Sequence, residues 1–198
     1  MTANTATVEQ FLKTPVGTKI DADRAYGYQC KDVADAYALA LFGDWVNTVR
    51  PGNGKDVFNN ASPTYFTKVA NNPADPNQVP PRGAIINWGW SAAVPEGHVA
   101  VVMAADAQGV TVLEQDGYTQ RGVQVVRHGY TLPNGAIVIG WLVPKLVEAR
   151  PTQCKVTAGD TMFSIAKQFG VGLQALINAN PQVKNPNVIS VGQVLALP

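Results

Sequence analysis

Cysteine and histidine are scarce in this chain, with two of each among 198 residues. Two cysteines cannot staple a disulfide-rich secreted scaffold, and no Cys-x-x-Cys or paired Cys/His spacing occurs, which excludes a thiolate zinc site. A charge surplus is also missing: 15 basic residues against 14 acidic ones leave a net charge of +1. That balance excludes the electrostatic footprint of a nucleic-acid binder and gives no cationic surface for membranes. No apolar run is long enough to span a bilayer, and the N-terminal Met-Thr-Ala-Asn-Thr-Ala-Thr lacks the basic and apolar regions of a secretory signal. The expectation is a monomeric chain made in a cytoplasm, with no membrane insertion.

What is present divides into two parts. The length suits one domain of ordinary size plus a small module. A turn-rich, polar stretch follows the strand-like Ala136-Ile-Val-Ile-Gly-Trp141-Leu-Val. The division is therefore drawn as residues 1–147, a linker at 148–152, and residues 153–198. Helical patterns precede strand patterns in the first part, which predicts an α+β fold.

Cys30 stands at a polar turn immediately before the pattern Cys30–Phe42, in which Val33, Ala34, Tyr37, Ala38 and Leu41 fall on one helical stripe. Backbone N–H groups at a helix start favour negative charge, so a cysteine there tends toward thiolate; a small buried hydrophobe is the alternative. Downstream, Glu96-Gly-His98-Val-Ala-Val-Val-Met and Val110-Thr-Val-Leu-Glu114-Gln-Asp116-Gly117 read as strands joined at Asp106-Ala-Gln-Gly109. A register pairing even with even residues would put His98, Glu114 and Asp116 on one face, with Cys30 against it. An imidazole takes a thiol proton only when a third group orients it, and Glu114 is the candidate. Asp116 could support the same ring or neighbouring backbone.

Residues from about 8 to 147 resemble a CHAP domain, the cysteine- and histidine-dependent amidohydrolase/peptidase family, and the resemblance implies a papain-like core of N-terminal helices packed on an antiparallel sheet. The resemblance rests on Tyr26-Gly-Tyr-Gln-Cys30-Lys-Asp32, Pro81-Arg-Gly-Ala-Ile-Ile-Asn-Trp88, Gly97-His98-Val-Ala-Val-Val and Val112-Leu-Glu114-Gln-Asp116. It implies Cys30 as nucleophile, His98 as general base and then acid, Glu114 as the orienting group, and Gln29 as a candidate for the oxyanion site. Many relatives carry Asn at the place of Asp116 and Asp at the place of Ala84. The remainder resembles a LysM repeat with βααβ order, on Gly-Asp-Thr161, Asn-Pro181 and Gly-Gln-Val194. LysM modules bind N-acetylglucosamine-containing glycans, and the resemblance implies a groove formed by Gly159, Asp160, Thr161 and Met162 with Asn180, Pro181 and nearby Ile189. Asp160 and Thr161 could equally cap the following helix.

Asp21, Asp23, Ala25, Gly27 and Asp32 occupy positions 1, 3, 5, 7 and 12 of an EF-hand-like loop, a spacing that lets carboxylates and backbone carbonyls converge on calcium. Several CHAP domains bind calcium at such a loop. Tyr26 replaces the usual sixth-position glycine, and Asp32 is shorter than the usual Glu. Trp90 is a candidate for lining the substrate groove, whereas Trp45, Trp88 and Trp141 read as core or cleft wall. His128 has no acidic neighbour in sequence and reads as a surface residue. Segments 50–55 and 71–81 are rich in turn formers and read as loops around one end of the cleft.

Taken together, these features predict a cysteine-dependent peptidoglycan hydrolase of the phage endolysin type. Its glycan strands would be held by the LysM module, and it would act on the wall once the membrane is breached. The residues leave open whether the bond cut is the muramoyl-L-alanine amide or a peptide bond of the stem or cross-bridge. Two other readings stand beside it: an inactive glycan-binding or wall-anchoring protein, and an autolysin of the NlpC-like endopeptidase type.

Overall fold

The computed structural model describes residues 3–117, 119–147 and 151–198. Of the five residues assigned to the linker, Glu148, Ala149 and Arg150 lie outside these, as do Met1, Thr2 and Tyr118. The chain divides into two compact units, Met1–Glu148 and Ala149–Pro198.

In the larger unit, α1 (Thr5–Phe11) starts at Asn4, whose Oδ1 accepts the Thr7 N–H at 2.9 Å. The helix carrying the first cysteine, α2 (Cys30–Phe42), has the bounds its periodicity predicts, and Gly43 ends it in the left-handed region at φ 76°. Val33, Ala34, Tyr37, Ala38 and Leu41 are all fully buried. Burial of each larger side chain on this stripe stabilises the packing by roughly 1.5–3 kcal/mol. Tyr37 also donates to the Gly83 carbonyl at 2.8 Å, tying the helix to the loop before the sheet. Beside Cys30, buried Lys31 pairs with buried Asp35 at 2.5 Å and lies 4.8 Å from the Trp45 ring centroid.

A 3-10 turn, Gly54–Asp56, leads into α3 (Val57–Asn60) and then β1 (Phe66–Ala70). The sheet continues with β2 (Ile85–Trp88), β3 (His98–Asp106), β4 (Gly109–Glu114), β5 (Gln124–His128) and β6 (Val138–Pro144). Its order is β1-β6-β2-β3-β4-β5, with every neighbouring pair antiparallel. The β3–β4 register pairs Val101 with Leu113 and Val102 with Val112, so even residues do oppose even ones, up to a bulge between Val102 and Ala104. Side chains alternate across the pleat. Ile85, Val99, Val101 and Leu113 therefore pack with the α2 stripe, while Ile86, Trp88, Ala100, Val102, Val110 and Val112 form a second core.

The helix body and its first residue serve different faces of the sheet. The body of α2 packs on the odd-numbered face, not on the face that carries His98 and Glu114. Cys30 reaches the histidine because it is the first residue of α2 and His98 the first of β3.

In the smaller unit, β7 (Gln153–Lys155), α4 (Met162–Phe169), α5 (Leu173–Asn178) and β8 (Val194–Ala196) follow the strand, helix, helix, strand order. Cys154 pairs in register with Leu195, and Val156, Met162, Ile165, Ala166, Leu176 and Leu195 form the core. Thr161 caps α4: its Oγ1 accepts the Ser164 N–H at 3.0 Å, and Ser164 Oγ accepts the Thr161 N–H at 2.9 Å. Among the described residues, no helix is long and apolar enough to cross a membrane.

Candidate active site

A cleft of about 540 Å³ in the larger unit is lined by Gln29, Cys30, His98, Glu114 and Asp116, the five residues to which the sequence reading gave a catalytic role. Tyr26, Arg121, Gln124 and His128 also line it. Cys30 lies beside the His98 ring, close enough to act on its charge. The opposite edge of that ring contacts Glu114, with Nε2 2.7 Å from Oε2, which leaves Nδ1 for the thiol. Neither cysteine of the chain is in a disulfide.

Electrostatics follow from this line of contacts. Burial alone would lower the His98 pKa, but the hydrogen bonds and negative charge of Cys30 and Glu114 push it up to about 10. Burial would likewise raise Glu114, yet hydrogen bonds from His128 and His98 hold it down at about 2. The ring is thus set to carry a proton beside the thiol, and the carboxylate to stay charged below it.

His128 is the residue that reading along the chain missed. It is not a surface residue without an acid: its Nε2 lies 2.8 Å from the same Glu114 Oε2, and its side chain is only 19% exposed. The signal was parity. Glu114 pairs with Gln124 and Val110 with His128, so the even positions of β5 share the face of Glu114. Trp88 packs against both imidazoles, with ring centroids 5.4 Å from His98 and 5.5 Å from His128, which limits where either ring can turn.

Several neutral groups hold the cleft together. Asn87 donates to the Gly54 carbonyl at 2.7 Å, and a methyl group at Gly54 would meet Cys30 Sγ and His98 Cα, both at 3.3 Å. A side chain there would press on both groups, so glycine suits a 3-10 turn this close to them. Buried Gln115 accepts the Ile20 N–H and donates to the carbonyls of Ile20 and Gln29, fixing the approach to α2. Gln29 lines the cleft and donates a long 3.4 Å contact to the Ala25 carbonyl. Asp116 lies past the end of β4 on the cleft wall.

Other assignments fare differently. Trp90 is 62% exposed and is not among the lining residues of the cleft. Of segments 50–55 and 71–81, only the first approaches the cysteine and histidine, through Gly54. Residues 71–79 instead border a separate cavity with Tyr130, Thr131 and Ile137. Between the two segments the chain forms β1, an edge strand whose Phe66 and Val69 pack inward while Thr67 and Lys68 stay exposed.

The loop before α2 brings ligand oxygens of Asp21, Asp23 and Asp32 within 4.8 Å of one another. Arg24 and Tyr26 adopt positive φ values of 60° and 61°, and Gly27 follows at 76°, so the chain turns tightly around the carboxylates. Asp32 accepts the N–H groups of Ala22 and Gln29 at 2.9 and 2.7 Å. Its burial, with Asp23 nearby, raises its pKa despite those bonds. Crowded hard oxygens of this kind fit a calcium ion.

In the smaller unit Gly159, Thr161 and Pro181 are exposed, but Met162 and Asn180 are buried. The Asn180 side chain donates to Leu176 and Ala196 carbonyls and accepts the Ala196 N–H, each at 2.8 Å. It joins α5 to β8 and has no free edge for a sugar. Asp160 accepts from the N–H and hydroxyl of Thr157, both at 2.7 Å, so it closes a turn and leaves helix capping to Thr161. Ile189 is half-buried against the small core.

These two units are an α+β domain with helices on a six-stranded antiparallel sheet and a small strand-helix-helix-strand module. Residues 20–116 match the family model of the CHAP domain and residues 154–198 that of the LysM domain. The endolysin PlyTW of Staphylococcus phage Twort is 33% identical over 132 residues, covering 62% of this chain and 27% of that protein. The secreted LysM effector ECP6 of Passalora fulva is 38% identical over 52 residues, covering 26% and 23%. The chain thus spans about a quarter of the length of each of these curated relatives. Among solved structures, the wild-type endolysin LysIME-EF1 superposes with a TM-score of 0.57 at 20% identity, over 95% of this chain and 90% of that one. Ly7917 with the hydrolysis product of MDP gives 0.53 at 16% identity, over 76% and 64%.

Proposed function

We propose that this protein is a peptidoglycan hydrolase of the endolysin type, cutting an amide bond of the bacterial wall with Cys30 while the LysM domain holds the glycan. The observation that carries this reading is the continuous line Cys30, His98, Glu114 inside an open cleft. The thiolate attacks the amide carbonyl carbon, and the electron pair moves onto oxygen. Collapse of this tetrahedral intermediate breaks the C–N bond as His98 gives its proton to the leaving amine, and a thioester on Cys30 results. Water then transfers a proton to His98 as it attacks the thioester, releasing a carboxylic acid and the thiol. Glu114 holds the ring through Nε2 so that Nδ1 faces the thiol throughout. N–H groups at the start of α2 and the Gln29 amide are the candidates to meet the oxyanion.

Asp21, Asp23 and Asp32, with the carbonyls of Ala25 and Gly27, are the groups that would hold calcium in this reading. A bound cation there supplies positive charge and rigidity to the loop that ends on the nucleophile's helix. The LysM contribution falls to the exposed loop at Gly159 and Thr161 and to Pro181, with Met162 and Asn180 supporting them from below.

The deciding experiment is digestion of purified walls followed by mass spectrometry. A new amine on alanine, glycine or lysine identifies the muramoyl-L-alanine amide, the cross-bridge or the stem as the target. If intact protein releases no fragment while still co-sedimenting with walls, the hydrolase reading fails in favour of a wall-anchoring one.

A further inference from the structure

The chain's two histidines stand on different strands, yet both direct Nε2 at one carboxylate oxygen. Thiol hydrolysis as described needs only one of them. We propose that His98, Glu114 and His128 form a binding site for a divalent transition-metal ion of the zinc class, and that its occupancy switches the thiol chemistry off.

The three donor atoms lie within 4.8 Å of one another. The present contacts are 2.7 and 2.8 Å, those of hydrogen bonds. Zinc bonds of about 2.0–2.1 Å in tetrahedral geometry separate neighbouring donors by roughly 3.3 Å, so each imidazole has to retreat from the carboxylate by about half an ångström while the two ring nitrogens, within 4.8 Å of each other, settle at a similar separation. Two imidazoles and one carboxylate suit a borderline ion, whereas the all-oxygen aspartate loop suits a hard one, so the two sites sort metals by donor type. The scaffold is firm. His98 opens β3, Glu114 closes β4 and His128 closes β5, and Trp88 backs both rings. All three ligands line the cleft, so water can fill the remaining coordination position.

Occupancy has a definite chemical effect. A metal on His98 Nε2 leaves the ring's one remaining proton on Nδ1 and separates the ring from Glu114, so giving that proton to the leaving amine would leave a metal-bound imidazolate in place of a neutral imidazole. Acyl transfer is held back at that step without any change to the thiol itself. This effect rests on the thiol-hydrolase reading, but the binding does not.

Because both histidines of the chain belong to the site, imidazole 1H–15N NMR of the untagged full-length protein observes it without interference. Zinc is added with calcium in excess, so that the aspartate loop does not act as the sink. Both rings should change together, reaching the Nδ1–H form at one equivalent of zinc, and return when a zinc chelator is added. His128→Gln should weaken zinc binding tenfold or more, about the least expected on losing a group that supports a metal. Cys30→Ala should bind as the parent does. The proposal is overturned if only one ring responds in the parent protein. It is equally overturned if Cys30→Ala loses zinc while His128→Gln keeps it. Wall lysis by metal-free protein reports on the hydrolase reading separately, so loss of lysis on zinc addition with both rings shifted supports the switch, and undiminished lysis sinks it.

Discussion

Cys30 and Cys154 sit in the two units of one chain, both half-exposed and both unpaired, yet their surroundings differ in every respect that governs reactivity. Cys30 starts a helix and touches an imidazole that is itself held by a carboxylate. Cys154 lies in a short strand opposite Leu195, and burial, with the charge of Asp160 nearby, pushes its thiol pKa up. A thiol becomes a nucleophile through its neighbours, and only one of these has the right ones. The contrast extends to whole units. The larger buries the charged side chains Lys31, Asp32, Asp35 and Glu114, the last of them in the cleft, while Asn180 is the buried polar side chain of the smaller among the described residues and is spent on joining α5 to β8.

Exchanging the cysteines is the harshest way to break this comparison. Cys30→Ala should reduce lysis of a wall suspension by at least about a thousandfold, as loss of a covalent nucleophile does, while Cys154→Ala stays close to the parent. Measurable lysis by Cys30→Ala at equal concentration would end the assignment.

Next in size is Glu114→Gln, which keeps the shape but removes the charge that both imidazoles share. It should slow turnover by about a hundredfold or more with little change in KM, the pattern of an effect confined to proton transfer. An unchanged kcat would show that Glu114 is only a structural acceptor.

The pH dependence sharpens the same contrast. His98 is raised from its usual 6.5 to about 10 in the fold, so its contribution to stability is complete below about 6.5 and is lost as pH rises toward 10. Glu114 is lowered from 4.5 to about 2, so its contribution is complete above 4.5 and is lost as pH falls toward 2. Asp35 has the opposite sense for a carboxylate: burial, opposed by Lys31, raises it to about 6, so its contribution is present below 3.8 and declines as pH rises through 6. Melting temperature should therefore fall between pH 7 and 10, and His98→Gln should flatten that fall. An equally steep fall in the variant would remove His98 as its source.

The smallest effects concern the parts that support the cysteine from outside the cleft. Chelation should lower melting temperature by a few degrees, calcium should restore it better than magnesium, and Asp23→Ala should imitate the chelator. Indifference of both melting and lysis to chelator would leave the aspartates as a solvated turn. A chain ending at Val147 should keep its bond specificity yet need more protein for equal lysis, because tethering raises local concentration at the wall.

How much of this was visible in the residues depended on how far each contact reaches. The α2 stripe and the common parity of His98, Glu114 and Asp116 follow from local periods and were legible. The LysM order was legible too, from turn residues at fixed offsets. His128 was not, because its place beside Glu114 depends on the β4–β5 register, which no neighbouring acid in sequence reveals. Gly54 was hidden for a related reason: its role lies in contacts with Cys30, Asn87 and His98, each more than twenty positions away. Strand β1 was obscured by flanking turn formers, although Phe66 and Val69 carry inward packing across its short length. Asn180 looked like a binding residue since an Asn-Pro turn is polar, yet its amide is consumed by backbone groups of α5 and β8.

The claim that Cys30 is activated by the shared carboxylate hub is tested most directly by timing the alkylation of both cysteines in one sample with iodoacetamide, resolved by peptide mass mapping. Cys30 should react about tenfold faster than Cys154 or more at neutral pH, and Glu114→Gln should remove most of that excess while leaving Cys154 unchanged. Equal rates in the parent protein, or an excess that survives Glu114→Gln intact, would contradict it.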